Sequence, residues 1–456
     1  MNIGYRSFKD KTDKRSFLLI KNVVASFAIK GWSALVVLLM VPLTLKILGV
    51  YNNGVWLTIS SILIWIDLMD IGLGNGLRNA VSHFVAIGDD ENVRKAVSST
   101  FFMLVVVVIP FLLILYMVIW NCDMYKALGV DVVKTDDLNT ILTIALTLSS
   151  MTFILKATGS FYMGLQLPAV NNLIVCLGHT LALLFTFSLY LLGSHSLLMV
   201  VSVNTASLLL TWAVCFPYTF RKRYPQYSPS FRHIDLKLAR NLCSTGVQFF
   251  VIQICGVLLF LTTNILISKW FSPAEVTPYQ VAYRYFNIAF VVFSTICIPF
   301  WNATTDAFSK HDFQWIRQAS HKLDLVMLGV FLLLTVMVLV SEVVYTIWID
   351  NEVQIPFHLS LCTAAYVFIL CFSQRYSYIL NGLNVLKIQL IFIIVATITF
   401  YPLAWYVCKK VGTVTSLVCV MCVVNIPGLI ANMWKYYRLF SEKNCINEGN
   451  NPGNSR

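Results

Sequence analysis

Ala96-Val-Ser-Ser-Thr-Phe-Phe-Met-Leu-Val-Val-Val-Val-Ile-Pro-Phe-Leu-Leu-Ile-Leu-Tyr-Met-Val-Ile-Trp120 decides the fold. Its 25 residues carry no charge. As a helix rising about 1.5 Å per residue it would reach about 37 Å. The hydrocarbon core of a bilayer is only about 30 Å thick. Lipid supplies no water to satisfy backbone groups, so only helices or closed barrels can cross it. The run is continuous and too long for the alternating strands of a barrel.

Working outward, the same reading repeats along the chain. It predicts twelve spans: Lys21–Leu48, Gly54–Arg78, Ala96–Trp120, Leu138–Leu165, Ala169–Leu192, Leu197–Phe220, Asn241–Ser268, Glu275–Asn302, Lys322–Trp348, Phe357–Leu380, Leu386–Val407 and Val411–Tyr437. Apolar residues make up 58% of the chain and charged residues 12%, about half the charge of a soluble domain. The fold class expected is an all-α polytopic membrane protein. The basic segment Met1–Ser16 lacks the short apolar core and small-residue cleavage site of a signal peptide.

Charge sets the expected orientation. With the N-terminus in the cytoplasm, 23 of the 33 Lys and Arg fall on the cytoplasmic side, six on the other face and four within spans. Both termini are then cytoplasmic. The net charge of +12 reflects loops beside anionic headgroups and not a nucleic-acid partner.

The basic connector at 221–240, with Pro225 and Pro229, divides the chain. The expected layout is an N-terminal six-helix lobe at 1–220, the cytoplasmic linker at 221–240, a C-terminal six-helix lobe at 241–440 and a disordered cytoplasmic tail at 441–456. A repeat joins the halves. Tyr162-Met163-Gly164-Leu165-Gln166 resembles Leu380-Asn381-Gly382-Leu383-Asn384, 218 residues on, and Asn171 matches Gln389 at that offset. Each half has an even helix count, so the repeat is parallel. Two such lobes leave a central cavity, which suits alternating access.

Charges inside spans are costly and mark function or pairing. Lys30 and Arg284 fall near the bilayer midplane. Lys156 and Arg375 fall in the cytoplasmic halves of their helices, and Arg78 at an inner helix end. A cationic cavity for an anionic substrate is one reading. The other is snorkelling for Arg78, Lys156 and Arg375, and an internal ion pair for Lys30 and Arg284 with Asp67 or Asp70. Asp67 and Asp70 share a helix face at i,i+3, which suits either ion coupling or such a pair. Gly72, Gly74 and Gly76 follow, and a broken helix end explains them better than a nucleotide loop. The buried amides Asn204, Gln248, Gln253, Asn264, Asn287 and Gln374 read as interhelical hydrogen bonds. Cys419-x-x-Cys422 lies in an apolar run and reads as packing. Histidine spacing suggests no metal, and no cofactor is expected.

These residues carry a resemblance. Lys30-Gly31-Trp32-Ser33, Val41-Pro42-Leu43-Thr44 and Asp70-Ile-Gly-Leu-Gly-Asn-Gly-Leu-Arg-Asn79, with Tyr279-Gln-Val-Ala-Tyr-Arg-Tyr285 and Pro299-Phe-Trp-Asn-Ala-Thr-Thr-Asp-Ala307, resemble Wzx-type polysaccharide flippases of the multidrug/oligosaccharidyl-lipid/polysaccharide exporter superfamily. The resemblance implies two six-helix lobes in the bacterial inner membrane. It implies movement of an undecaprenyl-diphosphate-linked oligosaccharide, an O-antigen, capsule or exopolysaccharide unit, to the periplasmic leaflet. Membrane lipids are expected partners, and the resemblance admits a polysaccharide polymerase and glycosyltransferases. It assigns substrate binding to Lys30, Arg78 and Arg284, and less directly to Lys156 and Arg375. The chain has twelve spans, against the fourteen of the related lipid II flippases. The main rival is a multidrug or cation antiporter of the same superfamily, which would want an acidic cavity. A membrane enzyme would want a larger outer loop than 121–137 and a nucleophile–base set, so no enzyme is expected.

Overall fold

The computed structural model describes residues 3–67, 73–135, 137–244, 247–309, 312–350, 352–383, 385 and 387–449, some of them by backbone alone. The chain is all-helical, with no strand among the described residues, and divides into two compact units, Met1–Val247 and Gln248–Arg456.

Unit 1 opens with α1 (Ile3–Asp67), which Gly49 breaks into two arms. Gly49 sits at φ 66°, in the left-handed region where a side chain costs free energy and glycine does not. The break falls between the first two predicted spans. The second arm is described as far as Asp67, and α2 (Leu73–Ala86) takes in Gly74 and Gly76 of the glycine-spaced stretch. The expectation of one helix ending at Arg78 is corrected here: Leu73, Leu77 and Val81 form a buried i,i+4 stripe that carries α2 on to Ala86.

α3 (Asp90–Asn121) begins earlier than the apolar run. The Asp89 carboxylate accepts from the Asn92 backbone N–H at 3.0 Å and caps the first turn, where Asp90 and Glu91 also meet the helix dipole. That backbone hydrogen bond holds the Asp89 carboxyl below its usual pKa. The short α4 (Met124–Leu128) precedes α5 (Leu138–Gly164), α6 (Pro168–Leu191) and α7 (Leu197–Pro217). A π-helical turn, Tyr218–Arg223, extends α7 into the basic connector. The connector is tied to α3: Arg94 Nε donates to the Ser228 carbonyl at 3.0 Å, Ser98 Oγ accepts from Ser230 N at 3.0 Å, and Tyr227 donates to Asp90 at 2.6 Å. It leads into α8 (Leu236–Ser244), which packs on α2 and α3.

Unit 2 holds α9 (Val247–Trp270), α10 (Pro273–Ser309), α11 (Phe313–Leu339), α12 (Ser341–Ile349), α13 (Phe357–Gly382), α14 (Lys387–Val411) and α15 (Val414–Gly449). Among the described residues nine helical stretches are long and apolar enough to cross a membrane, one of them running through the Gly49 break. With the two arms of α1 counted separately, and α9 and α10 added, the fold has about twelve spanning helices in two lobes. Leu113, Ile114 and Met117 of α3 and Leu325, Phe331 and Leu339 of α11 stand exposed. Acyl chains solvate such side chains at no cost, so this is a multi-pass membrane protein.

The two units repeat one plan. In unit 1, α2 packs on α3 and α5, α3 on α5, and α5 and α6 on α7. In unit 2, α10 packs on α11 and α13, α11 on α13, and α13 and α14 on α15. The repeat reaches single hydrogen bonds. Leu165 N and Leu383 N donate to Phe161 O and Ile379 O, both at 3.0 Å. Leu167 N and Val385 N then donate to Tyr162 O and Leu380 O at 2.9 and 2.8 Å. Gly164 permits this end in unit 1: a Cβ there would lie 2.7 Å from Val81 Cβ and 2.8 Å from the Arg78 carbonyl.

Candidate substrate-binding site

The predicted site residues divide between the units. Lys30 and Asp67 are placed on α1 by backbone alone, and Asp70 lies outside the described residues. Arg78 stands exposed on α2, its carbonyl against the end of α5. Lys156 is exposed on α5, within electrostatic reach of His179 on α6.

In unit 2, Arg284 is half-buried on α10 between Tyr283 and Tyr285. Arg375, on α13, is 1% exposed. Snorkelling is therefore corrected for Arg375: the guanidinium pairs with Asp324 of α11 and donates from Nη2 to Ser320 Oγ at 3.1 Å. It also lies 4.2 Å from the centre of the Tyr376 ring. A cation buried in a membrane bundle needs such partners; α11 supplies them to Nη2, while among the described residues Nε and Nη1 have none. Asp324 is half-exposed and also meets His321 at 3.6 Å. The pair lines a cavity of about 310 Å³ with Arg317, Tyr436 and Tyr437. Arg284 does not join it. Cys297 of α10 is within electrostatic reach of Arg375, and Arg284 lies 13 residues away on that helix, about 20 Å along its axis. Asp324 escaped the sequence reading, although an acid inside a predicted span was the available signal.

A second cavity, about 500 Å³, opens inside unit 2 between α9, α10, α13, α14 and α15. From α13 it takes Leu370, Ser373, Gln374, Ser377, Tyr378 and Asn381, whose i, i+3, i+4, i+7 spacing is one helix face. Gln389 of α14 donates to Asn381 at 3.0 Å, and Asn432 of α15 donates to Ser377 at 3.2 Å. Reading the buried amides as interhelical bonds holds for Asn264, which accepts from Gln280 at 2.7 Å, and for Asn204, which donates to Thr186 at 3.3 Å. Gln374 instead lines the cavity and shares a hydrogen bond with Tyr378. Asn287 is half-buried, and the side chains of Gln248 and Gln253 lie outside the described set. Among the described residues no three His, Cys, Asp or Glu converge as a metal site would require.

About twelve spanning helices in two lobes define a polytopic helical membrane protein. A multidrug resistance MATE family transporter of the MOP superfamily, solved in its inward-facing conformation, is similar at a TM-score of 0.75 and 13% identity, over 90% of this chain and 96% of that one. The outward-facing structure of such a transporter is similar at 0.60 and 12% identity, over 91% and 97%. A MATE structure in complex with MaL6 is similar at 0.58 and 13%, again over 91% and 97%. At these identities the likeness is one of fold. The family model described as polysaccharide biosynthesis protein matches residues 19–299, more than half of the chain, and the chain belongs to that family. No curated protein matches the chain by sequence.

Proposed function

We propose that the protein moves a lipid-linked oligosaccharide, carried on undecaprenyl diphosphate, from the cytoplasmic to the periplasmic leaflet of the bacterial inner membrane by alternating access. The observation that carries this reading is the family match over residues 19–299, joined to a transporter fold. The physics fits the task. A diphosphate is too highly charged to cross hydrocarbon unaided, and cations within the spans lower that barrier. The polyprenyl tail stays in lipid, so the protein need not enclose it.

Lys30, Arg78, Lys156 and Arg284 are the cations assigned to the diphosphate in this scheme. Arg375 is already engaged by Asp324, so it serves first to hold α11 against α13. Asp67 and Asp70 are assigned ion coupling; the sequence has no phosphate-binding GxxxxGK[ST] loop to supply energy from a nucleotide. The protein carries out no bond chemistry in this reading. Its partners are the lipid-linked glycan and membrane lipids, with a polymerase and glycosyltransferases acting on either side of the transfer.

The second reading, a multidrug or cation antiporter, is favoured by the fold likeness alone. A cationic drug would want acids where this chain places Arg284 and Lys156. In cells that depend on this protein for surface glycan, Arg284→Ala and Lys30→Ala should each abolish display while the protein still inserts. Normal display in both variants would remove the cationic route. Drug resistance conferred by the wild type would point to the antiporter.

A further inference from the structure

The cavity between α13, α14 and α15 asks for a ligand of its own. Five amide side chains, Gln374, Asn381, Gln389, Asn425 and Asn432, line it, and no charged side chain does among the described residues. Each buried amide in a bilayer costs free energy unless it is hydrogen-bonded. Internal bonds satisfy only part of the set. Asn432 is 5% exposed, and its Oδ1 has no partner although its Nδ2 donates to Ser377.

The volume falls within the range of about 300–1,000 Å³ that small-molecule sites occupy. Amides offer donors and acceptors at once, which matches hydroxyl and acetamido groups that also do both. Tyr283, Phe290, Tyr378 and Phe392 add aromatic surface to the same wall. Among the described residues the lining holds no cation to favour a phosphate and no carboxylate to favour a cationic drug. We infer that this cavity is a binding site for a neutral saccharide, taking one or two sugar rings of the glycan through its amides while the diphosphate is held elsewhere. The inference rests on the transport reading for its source of sugar and on the cavity alone for its chemistry.

The test uses the purified full-length protein in lipid nanodiscs, titrated calorimetrically with methyl β-N-acetylglucosaminide and methyl β-glucoside in sodium and in choline buffer. Saturable binding of at least one glycoside in both buffers is expected, with glucose 1-phosphate binding no better. Asn432→Leu removes the amide whose oxygen lacks a partner. Ser373→Leu fills the lining while keeping every amide. Both should weaken glycoside binding at least ten-fold. Because either variant can misfold, a cryo-EM map of the wild type with the glycoside supplies a second reading, with sugar density expected between α13, α14 and α15. No saturable glycoside binding, unchanged affinity in well-folded variants, density elsewhere, or heat from sodium in place of sugar would each overturn the site. Binding at this cavity by a protein that fails to move lipid-linked oligosaccharide in vesicles would sink the transport reading and leave the site standing. Transport without glycoside binding would do the reverse.

Discussion

Where α5, α6 and α7 meet in unit 1, a buried aromatic and aliphatic cluster packs; where α13, α14 and α15 meet in unit 2, a cavity opens. The scaffolds correspond, because Gly164 and Gly382 end α5 and α13 at the 218-residue offset with matching hydrogen bonds. The side chains at that offset correspond only in part. Asn171 matches Gln389, but Met163 and Val214 stand in unit 1 where Asn381 and Asn432 stand in unit 2. Unit 1 closes the space with Tyr162, Ile174 and Trp212, and Leu155, Val170 and Cys215 pack around them. Gly159 lets that cluster approach: a Cβ there would run into the Asn171 carboxamide and lie 2.9 Å from the Trp212 ring. One helical plan thus carries a packed cluster in unit 1 and a cavity in unit 2.

The comparison can be broken by substitution, and thermal unfolding of the purified protein reads the result. Trp212→Ala should have the largest effect, a loss of about 3–5 kcal/mol, because it removes the largest side chain of the packed cluster. A loss below about 1 kcal/mol would show that unit 1 is not packed as described. Asp324→Ala strands the Arg375 guanidinium in unit 2. A fully buried pair broken this way costs about 3–5 kcal/mol. Asp324 is half-exposed and Ser320 and Tyr376 remain, so the loss should be smaller, about 2 kcal/mol. No change would mean that the pair does not hold α11 to α13.

Glycine swaps sharpen the contrast. Gly159→Ala should cost about 1–3 kcal/mol by overpacking. Gly428→Ala on α15 places its Cβ 3.7 Å from Phe392, an ordinary contact, and should change stability by no more than about 1 kcal/mol in either direction. Equal losses at the two positions would erase the distinction between the packed cluster and the cavity.

The smallest effect concerns helix starts. The Asp137 carboxylate caps α5 by accepting from Asn139 and Thr140, whereas α13 begins after Pro356 with no side-chain cap. Asp137→Ala should cost about 1 kcal/mol. The Thr140 hydroxyl, with the backbone N–H groups behind it, holds this carboxyl below its usual pKa against a weaker opposing effect of burial. The stabilisation is therefore complete above the ordinary aspartate value of about 3.9 and lost as the pH falls through the lowered folded value. A variant whose pH profile matches the wild type throughout that acid range would remove the cap from the account.

Much of this was legible in the sequence, and the misses have a common cause. Leu138, Leu197 and Phe357 begin helices where the apolar runs begin, because bilayer crossing imposes length and composition directly. The repeat at Gly164 and Gly382 was legible because a tight turn constrains residue type. The continuation of α2 past Arg78 depends on the Leu73, Leu77 and Val81 stripe finding α3 and α5, which no local pattern displays. Arg375 could be recognised as costly, but its partner Asp324 lies 51 residues away on another helix. The amides around Gln374 looked like ordinary helix–helix glue until five helices placed them around one space.

The most direct test of the transport claim is a reconstituted vesicle assay. Polyprenyl-diphosphate-linked oligosaccharide is loaded in one leaflet, and its arrival in the other is read by an added glycosidase that cannot enter. Wild-type protein should expose the glycan with time, and Arg284→Ala, at equal reconstitution, should slow that exposure at least ten-fold. Exposure no faster than in protein-free vesicles, or the same rate in the variant, would contradict the account.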